Sequence, residues 1–158
     1  MQELTQARLK ELLHYDPETG AFIRLKTPKK SLVGKQAQIS DGRYFRVKIG
    51  SKRYRAHRLA WFYMTGQWPL ELIDHINGDG FDNRWVNLRE ATTFQNAANR
   101  APNAGKSTKG IRKVDYGYMA YIGVNNRLLY LGYFKSETAA QEAYNQAALK
   151  HFGEFVRV

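Results

Sequence analysis

The sequence predicts an α+β chain: a strand–loop–strand–helix core, preceded by a small β-rich region and followed by a three-stranded antiparallel sheet packed on one helix. Three observations predict it. Arg43 to Arg55 alternates, with Tyr44, Arg46 and Lys48 on one face and Phe45, Val47 and Ile49 on the other, the two-residue period of a strand. Apolar pairs flank a loop rich in Asn, Gly and Asp between Leu72 and Glu90, and Thr92 or Thr93 caps a helix after it. Gly110–Val114, Tyr118–Val124 and Leu128–Phe134 are strand-like runs separated by Asp115-Tyr116-Gly117 and Asn125-Asn126, which are hairpin turns.

The remaining elements follow in chain order. Leu4, Leu9, Leu12 and Leu13 among polar residues predict a short amphipathic helix over 4–14 with Thr5 as N-cap. Asp16-Pro17-Glu18-Thr19-Gly20 is turn chemistry, and Ala21–Leu25 reads as a strand. Residues 26–42, with Pro28, Gly34 and Gly42 among Lys and Ser, read as loop. Gly50-Ser51 breaks the alternating run into a hairpin that continues through Arg53-Tyr54-Arg55. His57–Gly66 reads as a short buried helix stopped by Gly66, with His57 anchoring it. Asn99–Ser107, holding Pro102, Asn103 and Gly105, is the best linker candidate. In the tail, Ser136 caps an Ala-rich helix to Lys150, and Ala139, Ala143, Ala147, Tyr144 and Ala148 form the stripe expected to pack on the sheet.

Composition narrows the function. With 25 Lys+Arg against 14 Asp+Glu the formal net charge is +11. The excess is spread, +7 over residues 1–102 and +4 over 103–158, so both halves attract a polyanion. Between Arg43 and Arg58 lie seven basic side chains and no acid: Arg43, Arg46, Lys48, Lys52, Arg53, Arg55 and Arg58, candidates for phosphate contact. The absence of cysteine excludes disulfide scaffolds and Cys-based zinc modules. No window approaches a membrane span and Met1–Arg8 holds no apolar core of signal-peptide length, so a soluble cytoplasmic protein with no membrane partner is expected.

The chemistry concentrates in Leu72-Ile73-Asp74-His75-Ile76-Asn77-Gly78-Asp79, then Asn83, Asn87-Leu88-Arg89-Glu90 and Phe94-Gln95-Asn96. A strand–loop–strand–helix path lets Asp74 and Asn96 converge. Two oxygen donors suit a hard cation that keeps several waters and takes substrate phosphate oxygens. A neutral imidazole at His75 can take a proton from water attacking phosphorus. Neighbouring strand residues point to opposite faces, so Asp74 and His75 can serve one phosphate only near a strand end or bulge. Asn83 reads as a backbone-capping residue.

Asp74-His75, Asn87 twelve residues after the histidine and Asn96 nine further on resemble the HNH nuclease motif, folded as ββα-metal, in the subtype of phage and intron homing endonucleases. Tyr54-Arg55-Ala56-His57-Arg58-Leu59 and Asp82-Asn83-Arg84 add to a likeness over roughly residues 43–99. The resemblance implies that Asp74 and Asn96 hold one divalent metal ion, Mg²⁺ or Mn²⁺, that His75 is the general base, and that Asn87 holds the loop and orients the histidine. The tail resembles a second family, the AP2 DNA-binding domain, through Lys109-Gly110-Ile111-Arg112, Tyr121-Ile122, Leu131-Gly132-Tyr133-Phe134 and Ala139-Ala140 to Phe155. That family lays its sheet in the major groove, which makes Arg112, Lys113, Tyr121, Arg127 and Tyr130 candidates for the DNA face. Tyr stands where plant members carry Trp and Arg, so no target sequence transfers.

The expected organisation is an N-terminal helix and loop region at 1–42, a nuclease domain at 43–101, a linker at 102–108 and an AP2-like DNA-binding domain at 109–158. The expected activity is metal-dependent hydrolysis of double-stranded DNA by a site-directed nicking or homing-type enzyme. It would act as a monomer or weak dimer without a small-molecule cofactor, in a bacterial cytoplasm if phage-encoded. The alternatives are a non-catalytic, sequence-specific DNA-binding regulator and an RNA-directed protein; the latter lacks the RNP-type aromatic signature.

Overall fold

The computed structural model describes residues 3–101 and 108–156, so the predicted linker at 102–108 lies almost wholly outside the described residues. The chain divides into two compact units, Met1–Glu90 and Ala91–Val158. Both mix α and β, with several small sheets and, among the described residues, four α-helices. None of the helices is long and apolar enough to cross a membrane.

In the first unit, helix α1 (Gln6–Leu12) starts where Thr5 Oγ1 accepts from Arg8 N at 3.2 Å, as expected. It stops two residues short of prediction. Leu13 and Tyr15 are buried and His14 exposed, a period of two, and strand β1 (Leu13–Tyr15) pairs antiparallel with β2 (Phe22–Arg24). Leu13 satisfies both the helical and the strand pattern, and pairing with β2 decides it. The expected loop over 26–42 contains a strand, β3 (Gln38–Asp41), which pairs with the edge of β4 (Tyr44–Ile49). Its Gln-Ile-Ser-Asp sequence has little strand character of its own; the free edge of β4 supplies the order. β4 turns at Gly50 (φ +60) into β5 (Lys52–Arg55) as predicted.

β5 runs straight into helix α2 (Ala56–Thr65), which Gly66 ends in the left-handed conformation. Leu9, Leu13, Tyr15, Phe22 and Ala37 share one core with Val47, Ala56, Leu59, Ala60, Phe62, Ile73 and Leu88. Residues before position 43 are therefore built into the same core as the hairpin and α2. Strand β6 (Leu72–His75) pairs with β7 (Leu88–Ala91).

In the second unit, helix α3 (Thr93–Asn99) carries a full capping box. Thr92 Oγ1 accepts from Gln95 N at 3.3 Å and Gln95 Oε1 from Thr92 N at 2.8 Å. Strands β8 (Ile111–Val114), β9 (Gly117–Val124) and β10 (Arg127–Phe134) form an antiparallel sheet with β9 central. Helix α4 (Glu137–Phe152), capped by Ser136, covers one face. Of the expected stripe Ala148 is fully buried and Ala139, Ala143, Tyr144 and Ala147 are half-buried, while Ala140, outside it, is fully buried where the helix packs on β9. Alanines at this spacing let the helix approach the sheet closely.

Candidate active site

The loop from Ile76 to Asn87 is closed by Ile76 N donating to Asn87 O at 2.9 Å. Inside it, short polar side chains replace a regular turn. Asn77 Oδ1 accepts from Asp79 N at 2.9 Å, Asp79 Oδ1 from Phe81 N at 2.9 Å and Asp82 Oδ1 from Arg84 N at 3.2 Å. Asn87 clamps both ends: its Oδ1 accepts from Asn77 N at 2.9 Å, and its Nδ2 donates to Asn77 Oδ1 at 3.0 Å and Asp82 O at 2.8 Å. A Cβ at Gly80 would stand 2.1 Å from Arg43 O, so glycine lets the loop lie on the start of β4. Arg84 binds Asp82 and holds its carboxyl down at about 2.

His75 is the last residue of β6, the strand-end position at which it and Asp74 can address one phosphate. It is 5% exposed, and its Nε2 lies 3.3 Å from Asn83 Oδ1. Its ring meets His57 edge-to-face at 4.9 Å and Tyr44 at 6.0 Å. Burial pulls its pKa below the ordinary imidazole value, against the opposing pull of Asn83 and the carboxylates of Asp74, Asp79 and Asp82. A neutral ring is the form that can accept a proton.

Asp74, 4% exposed, accepts from Arg89 Nε at 3.1 Å and Nη2 at 3.0 Å, both on Oδ2. Sequence reasoning missed Arg89. The pairing of β6 with β7 brings the two together, and no spacing within the motif reveals it. It also gave Asn83 only a capping role, whereas the side chain of Asn83 reaches His75. His57 is 3% exposed on α2, and its Nδ1 has no hydrogen-bond partner among the described residues. Burial first, then His75, Arg55 and Arg58, push its pKa down to about 3.

The basic candidates fall into groups. Register places Arg46 opposite Arg55 and Lys48 opposite Arg53, so four cations share one face, while Lys52 pairs with Ile49. Like charges set directly opposite are unfavourable without a polyanion. Ile39, Ser40 and Asp41 of β3 line a cleft with Arg46, Lys48 and Arg53, and Asp41 pairs with Arg46. Arg55 lies over the Tyr44 ring at 5.1 Å. Arg43 sits in the turn before β4. Arg58 donates to Glu71 O at 3.1 Å and Pro69 O at 3.2 Å, a structural use of its guanidinium. In the second unit, Asn96 stands on α3. Arg112 pairs with Met119 and Tyr121 with Tyr130, on the face away from Ala120 and Ile122. Lys113 pairs with Tyr118, and Arg127 with Val124, which places both on the other side of the alternation.

Among the described residues, no three His, Cys, Asp or Glu side chains are grouped to hold a metal ion. A hard cation carried by one carboxylate, one amide oxygen and water would need no such group.

Residues 54–98 match the family described as HNH endonuclease. A viral relative, the uncharacterized HNH endonuclease L560 of Acanthamoeba polyphaga mimivirus, is 28% identical over 139 residues, covering 86% of this chain and 73% of the relative. No solved structure matches. The matched segment contains the whole β6–loop–β7 site, and the chain thus carries an HNH endonuclease domain at residues 54–98 and is a nuclease of the hydrolase class.

Proposed function

We propose that this chain hydrolyses phosphodiester bonds of double-stranded DNA as a site-directed nicking or homing-type endonuclease. The observation that carries the reading is a buried histidine with a depressed pKa beside a carboxylate, held by a loop of mutually bonded side chains inside the matched segment. His75 takes the proton of a water that attacks phosphorus, and the scissile P–O bond breaks as the new one forms. Asp74 and Asn96 supply oxygen donors to one divalent ion, Mg²⁺ or Mn²⁺. Such an ion, when bound, offsets charge on the phosphate and stabilises the leaving oxygen. Arg89 holds Asp74 in place, and Asn87 holds the loop.

Binding falls to two basic surfaces. Arg46, Lys48, Arg53 and Arg55 on the β4–β5 hairpin would contact phosphates; Arg112, Tyr121 and Tyr130 on the C-terminal sheet would read the groove in the AP2-like manner. Such division of labour fits one catalytic centre per chain, and hence a nick.

Supercoiled plasmid carrying a cognate site tests the reading. Open circles should form with Mg²⁺ and not with EDTA, and His75→Ala should lower the single-turnover rate by about 10²–10⁴-fold while DNA affinity stays nearly unchanged. Wild-type cleavage by that variant would refute the role of His75.

A further inference from the structure

We infer that Asn83 and Tyr15 are positioning residues for His75, Asn83 fixing which ring nitrogen carries the proton and Tyr15 fixing Asn83. The inference rests on the reading of His75 as general base. Asn83 is 1% exposed, and its Nδ2 donates to Phe81 O at 3.1 Å. That bond sets the amide so that Oδ1 is the atom facing His75 Nε2. An amide oxygen only accepts. The neutral imidazole that satisfies it therefore carries its proton on Nε2 and its basic lone pair on Nδ1.

The seat of Asn83 comes from a part of the chain outside the matched segment. The Tyr15 hydroxyl donates to Asn83 O at 2.7 Å, and Tyr15 is itself 1% exposed. Its ring is fixed by Phe22 at 4.9 Å and Tyr63 at 5.6 Å. The turn joining β1 to β2 adds a second bond, Trp85 N to Pro17 O at 2.9 Å. Gly20, at φ +73, lies so close that a Cβ there would stand 2.5 Å from Asn83 C and 2.6 Å from Arg84 N. Three independent contacts thus press residues 13–24 against residues 83–85. This gives the N-terminal region a role in the reaction: it holds the acceptor that holds the base.

The test uses the full-length, metal-free protein labelled with ¹⁵N at histidine, and long-range ¹H–¹⁵N spectra that distinguish the two neutral tautomers of His75. Wild type should show the Nε2–H form. Asn83→Ala should lose that preference and lower kcat about 10–100-fold, with KM and DNA affinity within about twofold. Asn83→Asp, which restores an acceptor oxygen but not the donor to Phe81 O, should recover the Nε2–H signature in part. Tyr15→Phe keeps the ring packing and should give mixed tautomers with a rate loss below about tenfold. Should Asn83→Ala not fold, Tyr15→Phe decides: the wild-type tautomer at the wild-type rate overturns the inference. An Asn83→Ala protein that melts lower but keeps the Nε2–H form and the rate overturns it too. If His75→Ala is inactive while the Asn83 and Tyr15 variants match wild type, only this inference fails; if His75→Ala cleaves normally, the underlying assignment of the base fails.

Discussion

The loop between β6 and β7 and the open face of the β8–β10 sheet are specified in opposite ways. In the loop, Asn77, Asp79, Asp82, Asn83 and Asn87 each hydrogen-bond within it, so position and identity are locked together. On the sheet, Leu128, Tyr130 and Tyr133 stand 72%, 56% and 47% exposed, held by strand pairing and, for Tyr130, by the Tyr121 ring at 5.3 Å. Tyr133 adds a single bond from its hydroxyl to Tyr116 O at 2.6 Å. On the proposed reading the loop must hold each atom in one place, whereas the sheet need only present the right side of a strand. The first should break on almost any substitution, and the second should tolerate most.

The largest effect should come from Arg89→Ala. It leaves the Asp74 carboxylate buried without its guanidinium, and should cost about 3 kcal/mol of stability, read from the urea midpoint. A loss under about 0.5 kcal/mol would mean that the pair contributes no more than a surface ion pair. Asn87→Ala should follow at about 2 kcal/mol, since Asn77 N and Asp82 O lose their partners, with cleavage down about 10–100-fold.

Acid should act next, through the buried histidines. His57 titrates near 3 in the folded chain against an ordinary 6.5, so its contribution to stability is complete above pH 6.5 and declines as pH falls toward 3. The slope approaches about 1.4 kcal/mol per pH unit for one such group, and His75 adds in the same direction. Asp82 loses its contribution only below its ordinary 3.8, so unfolding at pH 7.5 and pH 5 isolates the histidines. His57→Phe should reduce that difference to the share of His75; an unchanged pH dependence would contradict the burial of a neutral ring at position 57. Smallest of all, Arg112→Ala on the sheet should change stability by less than about 0.5 kcal/mol. It should still reduce the slope of log affinity against log salt by about 1 if that face meets phosphate.

The same contrast explains what the sequence could reveal. The strand-end place of Asp74 and His75 and the loop clamp of Asn87 are legible in the motif, because a bonded loop between paired strands ties residue type to spacing. Hairpin β4–β5, the cap of α3 and the three C-terminal strands were legible from period and turn chemistry. The contacts of Arg89 with Asp74 and of Asn83 with His75 arise from strand pairing and loop closure, which leave no local pattern. β3 was invisible because its order is lent by a neighbouring edge. The end of α1 was misplaced because Leu13 suits two periods at once. On the C-terminal sheet, Lys113 falls on the opposite side from Arg112 because neighbours in one strand alternate, and the side of Arg127 follows only from its pairing with Val124 across the hairpin.

The shared core of the first unit bears on how this nuclease could be transplanted. Leu9, Leu13, Tyr15, Phe22 and Ala37 all precede the segment at 54–98 that a family comparison delimits. A graft cut at those limits would carry Asp74 and His75 while stripping the apolar wall behind α2 and β6. The matched span marks likeness alone, and a fragment that keeps this core whole has to begin before Leu9.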